Sequence, residues 1–197
     1  MRQKGFTIIE LVISIFILSV AIVGIFSAFS MMVLLTNNAS DRLTAAYLAQ
    51  EGVEIIRNIR DNNWIDSGYY PDTSWVRGIY STCFPENGDG CRVDYRTMGT
   101  EDATFPIQPY DNSEYLNIDS DGFYSYGAGT DTKFRRKILA EYLSGYGYDY
   151  VIKVTVTVYW DEKPSILNPN GDPGSIVVEE YFYDWYDYNG FYEEFEP

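Results

Sequence analysis

The sequence predicts an α+β fold, a long N-terminal helix followed by a C-terminal antiparallel sheet. Three observations carry that reading. A run from Leu11 to Leu35, 25 residues, holds no charge and no proline. Helical spacing of apolar residues then continues to about Asp61. Beyond it, the C-terminal third alternates apolar and polar residues, most plainly in DYVIKVTVTVYW. A period near 3.6 marks a helix and a period of two marks a strand. Segregation of the two along the chain is the α+β pattern.

The apolar run is long enough to cross a bilayer, which takes about 20 residues. Only Ser14, Ser19, Ser27, Ser30 and Gly24 interrupt it, and all are small, as close helix packing in lipid prefers. Arg2 and Lys4 precede it. The positive-inside rule therefore keeps the N-terminus cytoplasmic and sends the residues after about 36 outside. A secretory signal peptide has a shorter apolar core and a small-residue cleavage site behind it. Neither feature fits here.

The stretch DRLTAAYLAQEGVEIIRNIRDNNW continues the helix. Leu43, Ala46, Ala49, Val53 and Ile56, with Leu48, Ile55 and Ile59 beside them, form an apolar stripe. Glu51, Glu54, Arg57, Arg60 and Asp61 take much of the other side. One helix from about Phe6 to about Asp61, broken at Asn62-Asn63, would be about 84 Å long. Its first half is apolar all round. Its second half is amphipathic and needs a partner surface.

Residues 63–112 are rich in Gly, Pro, Asp, Asn and Ser, and read as a structured connection without regular elements. Within it lies CFPENGDGC, with Cys83 and Cys91. Outside the cytoplasm two such neighbours most often pair as a disulfide, worth about 2–3 kcal/mol, the alternative being two unpaired thiols. Strand signals follow. YLNIDSDGFYSY reads as a hairpin turning at Asp119–Gly122, then come FRRKILAEYL, DYVIKVTVTVYW and SIVVEEYFYDWY. In the third, Ile152, Val154, Val156, Val158 and Trp160 share one face. Three or four antiparallel strands with one apolar face would cover the amphipathic half of the helix.

Composition narrows the function. The 197 residues include no histidine and two cysteines, against a metal site of the Cys/His type and against the commonest general base. A formal net charge of −15 disfavours nucleic acid. No nucleophile motif or phosphate-cradling glycine loop is found, so no enzyme and no cofactor are expected. Asp119 and Asp121 partly fit a calcium loop, but Glu114 and Asp131 stand at the wrong spacing for its remaining ligands, and a hairpin turn is the reading taken. The tail YFYDWYDYNGFYEEF holds nine aromatics in fifteen residues; it reads as a sheet edge with a tail packed on it, or else as an exposed surface for glycans.

The segment Lys4-Gly5-Phe6-Thr7-Ile8-Ile9-Glu10 resembles the prepilin processing signal of the type IV pilin superfamily. The resemblance implies a pilin fold and cleavage by a prepilin peptidase between Gly5 and Phe6, followed by N-methylation of Phe6. Glycine suits the position before the cut, where the peptidase must approach the backbone closely. Cleavage removes Arg2 and Lys4, taking the net charge to −17. Glu10, the fifth mature residue, would pair with the new amine of Phe6 and set the register of the helix in a filament. The implied division is a leader at 1–5, a transmembrane or filament-core helix at 6–35, an amphipathic half at 36–62 and a periplasmic or extracellular pilin domain at 63–197. AYLAQEGVEIIRNIRDNNW is most similar to minor pilins of the PilV kind. Pseudopilins of type II secretion share the N-terminal motif. No proline interrupts the apolar helix, unlike many major pilins, and this favours a minor subunit. The implied partners are the peptidase, other pilin subunits through the N-terminal helix, the inner-membrane assembly platform, and the lipid bilayer before assembly. The implied location is the inner membrane as a single-pass precursor, then an extracellular filament.

Overall fold

The computed structural model describes Gly5 and residues 7–67, 75–98, 104–143, 151–165 and 168–184. The chain divides into two units, Met1–Asp41 and Arg42–Pro197. Helix α1, Ile8–Ser67, runs unbroken through both.

In the first unit, every described residue up to Ser30 is exposed. The helix carries its polar side chains without asking anything of a neighbour. Ser14, Ser19, Ser27, Ser30 and Thr36 each donate their hydroxyl to a backbone carbonyl three or four residues earlier, at 2.7–3.0 Å. Such back-bonding removes the cost of an unpaired hydroxyl in an apolar medium.

The second unit holds the rest of α1, a short helix α2 (Ile79–Cys83) and a 3-10 turn at Pro85–Asn87. Two strands of two residues follow, β1 (Cys91–Arg92) and β2 (Gln108–Pro109). Next come β3 (Asn117–Ile118), β4 (Tyr124–Ser125), β5 (Thr130–Asp131), β6 (Phe134–Tyr142), β7 (Val151–Trp160) and β8 (Gly174–Tyr183). Five strands form one sheet in the order β2-β1-β6-β7-β8, antiparallel throughout. The hairpin of the sequence reading is present, but β3 and β4 join β5 in a separate three-stranded sheet. The connection read as irregular contains α2, β1 and β2, which are too short to leave a periodic signal.

The core lies between α1 and the inner face of the large sheet. From the helix come Ala45, Leu48, Ala49, Val53, Ile56 and Ile59; from the sheet come Ile138, Ile152, Val154, Val156, Val158, Trp160 and Phe182. The β7 alternation lands as its sequence predicts. The helix stripe is rotated: Ala45 is buried whereas Leu43 is 58% exposed. Positions 45, 48, 49, 52, 53, 56 and 59 recur at three and four, and Leu43 falls out of that phase.

Helix and sheet meet closely at Gly52, where a Cβ would lie 2.9 Å from Arg136 Cδ and 3.0 Å from Val156 Cγ1. Arg136 is fully buried on the inner face. Its Nη1 donates to the Leu48 carbonyl at 2.8 Å and lies 3.4 Å from Glu51, and its Nη2 donates to the Val93 carbonyl. Arg57 bridges Glu54 and Glu180, and Arg60 stacks on Trp64 and Phe182 at 4.4 and 4.7 Å. Arg60 thus packs on aromatic rings rather than reaching into water.

Helix α1 passes the expected break at Asn62-Asn63. The Asn63 side chain is buried and donates to the carbonyls of Trp75 and Arg77 at 3.0 and 2.9 Å. Trp64 stacks on Trp75 with ring centres 6.2 Å apart. These bonds hold the last turns in the core. Cys83 and Cys91 form a disulfide that ties α2 to β1, and both are fully buried. Between them, Gly90 has φ +100° and would place a Cβ 2.5 Å from the Ile138 carbonyl, so only glycine lets β1 lie against β6.

Candidate functional site

The helix begins at a cap that the residues make for themselves. Thr7 Oγ1 accepts the Glu10 N–H at 3.4 Å, and the Thr7 carbonyl accepts the Leu11 N–H at 3.2 Å. Thr7 is the N-cap and Glu10 stands three residues on, the spacing of a capping box. A carboxylate there also faces the positive end of the helix dipole. Thr7 was not singled out from sequence, although T-x-x-E before an apolar run is legible there. Of the predicted site residues, Gly5 and Glu10 are described, and Phe6 lies outside the described residues.

Glu10 heads an exposed column of apolar side chains. Eighteen large apolar residues between Ile8 and Leu35 are exposed, Ile8 to 84%. At roughly 1.5–3 kcal/mol for each buried side chain, leaving them in water costs tens of kcal/mol. The segment therefore belongs in lipid or among other apolar helices. It is long and apolar enough to cross a membrane. Glycine at position 5 is not required by the fold, since a Cβ there meets nothing within 4 Å.

The remaining candidates resolve differently. Asp119 Oδ1 accepts the N–H groups of Asp121 and Phe123, each at 3.0 Å, and Oδ2 accepts the Tyr95 hydroxyl at 2.8 Å. The Phe123 N–H and the Tyr95 hydroxyl, in that order, hold the carboxyl below the usual carboxylate range. With Gly122 at φ +89°, this is a closed turn between β3 and β4 whose carboxylate is already engaged. Glu114 is paired with Arg92 at 2.6 Å. Among the described residues no group of three or more His, Cys, Asp or Glu is placed to hold a metal ion.

A cleft of about 960 Å³ is lined by Glu114, Tyr115, Tyr124, Asp131, Phe134 and Asp161, among others. Of its carboxylates, Asp161 is bound by Arg135 at 2.8 Å and by the Tyr115 hydroxyl at 2.7 Å, and Glu114 by Arg92 at 2.6 Å. Asp94 is a buried carboxylate that does not line this cleft. Burial pushes its carboxyl up, but hydrogen bonds from Arg96 and the Tyr126 N–H outweigh this and hold it below the usual range. The tail aromatics from Trp185 onward lie outside the described residues.

No curated protein and no solved structure matches the chain. Residues 1–26 match the family described as the prokaryotic N-terminal methylation motif. Together with the apolar helix, that motif indicates a type IV pilin- or pseudopilin-like precursor; it fits a membrane-anchored structural subunit and implies processing by prepilin peptidase and assembly with other pilins.

Proposed function

We propose that the chain is a minor subunit of a type IV pilus, of the PilV kind, acting in filament assembly, initiation or surface attachment. The observation that carries this is a lone carboxylate heading a helix whose side chains are all exposed as far as Ser30. In a filament such helices bundle, and an unpaired carboxylate among them would cost several kcal/mol. Cleavage between Gly5 and Phe6 supplies the counter-charge, the amine of Phe6, which the same peptidase then methylates. Pairing of Glu10 with that amine fixes the axial position of an otherwise uniform apolar helix, as single buried polar pairs do elsewhere. The open surroundings of Gly5 support a glycine kept for an enzyme that must approach the backbone. The division into leader 1–5, core helix 6–35, amphipathic half 36–62 and outer domain 63–197 follows from this reading. The precursor sits in the inner membrane with its N-terminus inside, meets the assembly platform there, and leaves in the filament.

Co-expression with a prepilin peptidase tests it. Intact-mass measurement should show loss of residues 1–5 and gain of one methyl group, and an unprocessed chain would overturn the reading. Glu10→Gln should be processed normally yet be lost from sheared filaments, and normal incorporation would refute the register role. Recovery of the wild-type chain only from a secretion machine's filament, never from surface pili, would make it a type II secretion pseudopilin instead.

A further inference from the structure

The two edges of the large sheet are built differently. One ends in β2, two residues long and holding Pro109. Short strands and proline are the usual protections of an edge. The other edge is β8, which pairs with β7 over ten residues, Val151↔Tyr183 to Trp160↔Gly174, without a bulge. Its sequence GSIVVEEYFY contains no proline, lysine or arginine. Among the described residues nothing pairs with its outer edge.

The outer face of the sheet carries a row of alternating charge that stops at this edge. Lys153 Nζ lies 3.3 Å from Glu141 on β6 and 3.6 Å from Glu179 on β8. The order is acid, base, acid, and Glu179 is half exposed. Two residues to either side of it, Val177 and Tyr181 are exposed to 55% and 48%. The inner face of β8 is already served, with Glu180 held by Arg57 and Phe182 buried under Arg60.

We propose that β8 is a strand-addition edge for an extended segment of a partner protein, one with a lysine or arginine flanked two residues away on each side by apolar or aromatic residues. The base would continue the charge row opposite Glu179, and the flanking side chains would cover Val177 and Tyr181. Backbone hydrogen bonds supply the attachment and alternate side chains the selectivity. A second copy of β8 brings the same acids to the seam. The chain's own residues 185–197 contain no lysine or arginine, so neither can supply the cation. The inference does not rest on the proposed pilus role.

The test uses the full chain in detergent micelles and a capped synthetic peptide, Ser-Val-Thr-Lys-Thr-Tyr-Ser, followed by hydrogen exchange resolved to single amides. Alternate β8 amides, those pointing away from β7, should exchange rapidly in the free chain and slow when peptide is added. Replacing the peptide lysine with glutamate should weaken binding roughly fivefold, as expected when a like-charged cross-strand pair replaces an opposite one. Glu179→Lys should reverse that preference. N-methylation of the peptide on its pairing edge should abolish the protection. Four results would each overturn the proposal: β8 amides all protected in the free chain, no protection by the peptide, equal protection by the N-methylated peptide, or no reversal in Glu179→Lys.

Discussion

Replacing Arg136 should separate the two things it does for the core. The guanidinium is fully buried and bridges three elements: α1 through the Leu48 carbonyl and Glu51, the loop after β1 through the Val93 carbonyl, and β6 through its own backbone. Arg136→Ala removes the volume beneath Gly52 and orphans the Val93 carbonyl. The Leu48 carbonyl, inside a helix, keeps its intrahelical partner. Half-exposed Glu51 can turn to water at little cost. A lost buried side chain costs about 2–5 kcal/mol and an orphaned buried carbonyl about 1–3 kcal/mol. Relief from burying a charge offsets part of this. The net expectation is about 3–5 kcal/mol, or a fall in Tm of roughly 10 °C. Arg136→Met refills the volume and leaves only the orphaned carbonyl, so it should lose about 1–3 kcal/mol. Unfolding followed by tryptophan emission is suited to this, because Trp64, Trp75 and Trp160 all sit in the core. If Arg136→Met equals or exceeds the wild type in stability, the fork is not stabilising and the bridging argument fails.

Other expectations are read by the same assay. Changing both Cys83 and Cys91 to Ser opens an eight-residue separation and should cost about 2–3 kcal/mol; no loss under non-reducing conditions would mean the disulfide does not constrain the unfolded chain. Gly174→Val places a Cβ 2.2 Å from the Trp160 ring, so the start of β8 must lift, costing about 1–3 kcal/mol and shifting Trp160 emission to the red. The depressed pKa of Asp94 gives stability that is full above the ordinary carboxylate range, about 3.9, and lost as pH falls through the lower folded value. Asp94→Asn should therefore flatten the acid limb of the stability–pH curve, and an unchanged limb would refute its part in it.

What was legible in the sequence follows from element length. Strand β7 shows its period over ten residues, and the 25-residue apolar run shows a helix long enough to cross a membrane. Strands β1 and β2, at two residues each, have no period to show; they exist because the disulfide and Gly90 hold the chain against β6. Arg136 was readable in principle, since Phe134, Arg136, Ile138 and Ala140 share a phase in FRRKILAEY. An arginine in step with three apolar residues points to a buried fork or to a phase error, and only the inner face of the sheet decides which. Asn63 misled because asparagine usually serves its own backbone in turns. Here its amide serves the carbonyls of a segment 12–14 residues away.

The same logic explains how a single helix carries two kinds of surface. From Ile8 to Leu35 each hydroxyl returns to its own backbone, so apart from Glu10 the segment presents apolar groups outward and fits lipid and a bundle of helices equally well. Nothing in such a surface specifies where along its axis a neighbour should stop. Glu10 is the one ionisable group there that could specify it, and its described bonds lie within its own first turns. In water or at a membrane surface that carboxylate is solvated and needs no partner. Between packed helices it does, and under the proposed processing the new cation would be the Phe6 amine. A methylated amine keeps its charge, so the proposed methylation would leave the proposed pairing intact. If Glu10→Asp, which keeps the charge but shortens its reach, supports filaments as well as wild type while Glu10→Gln does not, charge rather than geometry sets the register.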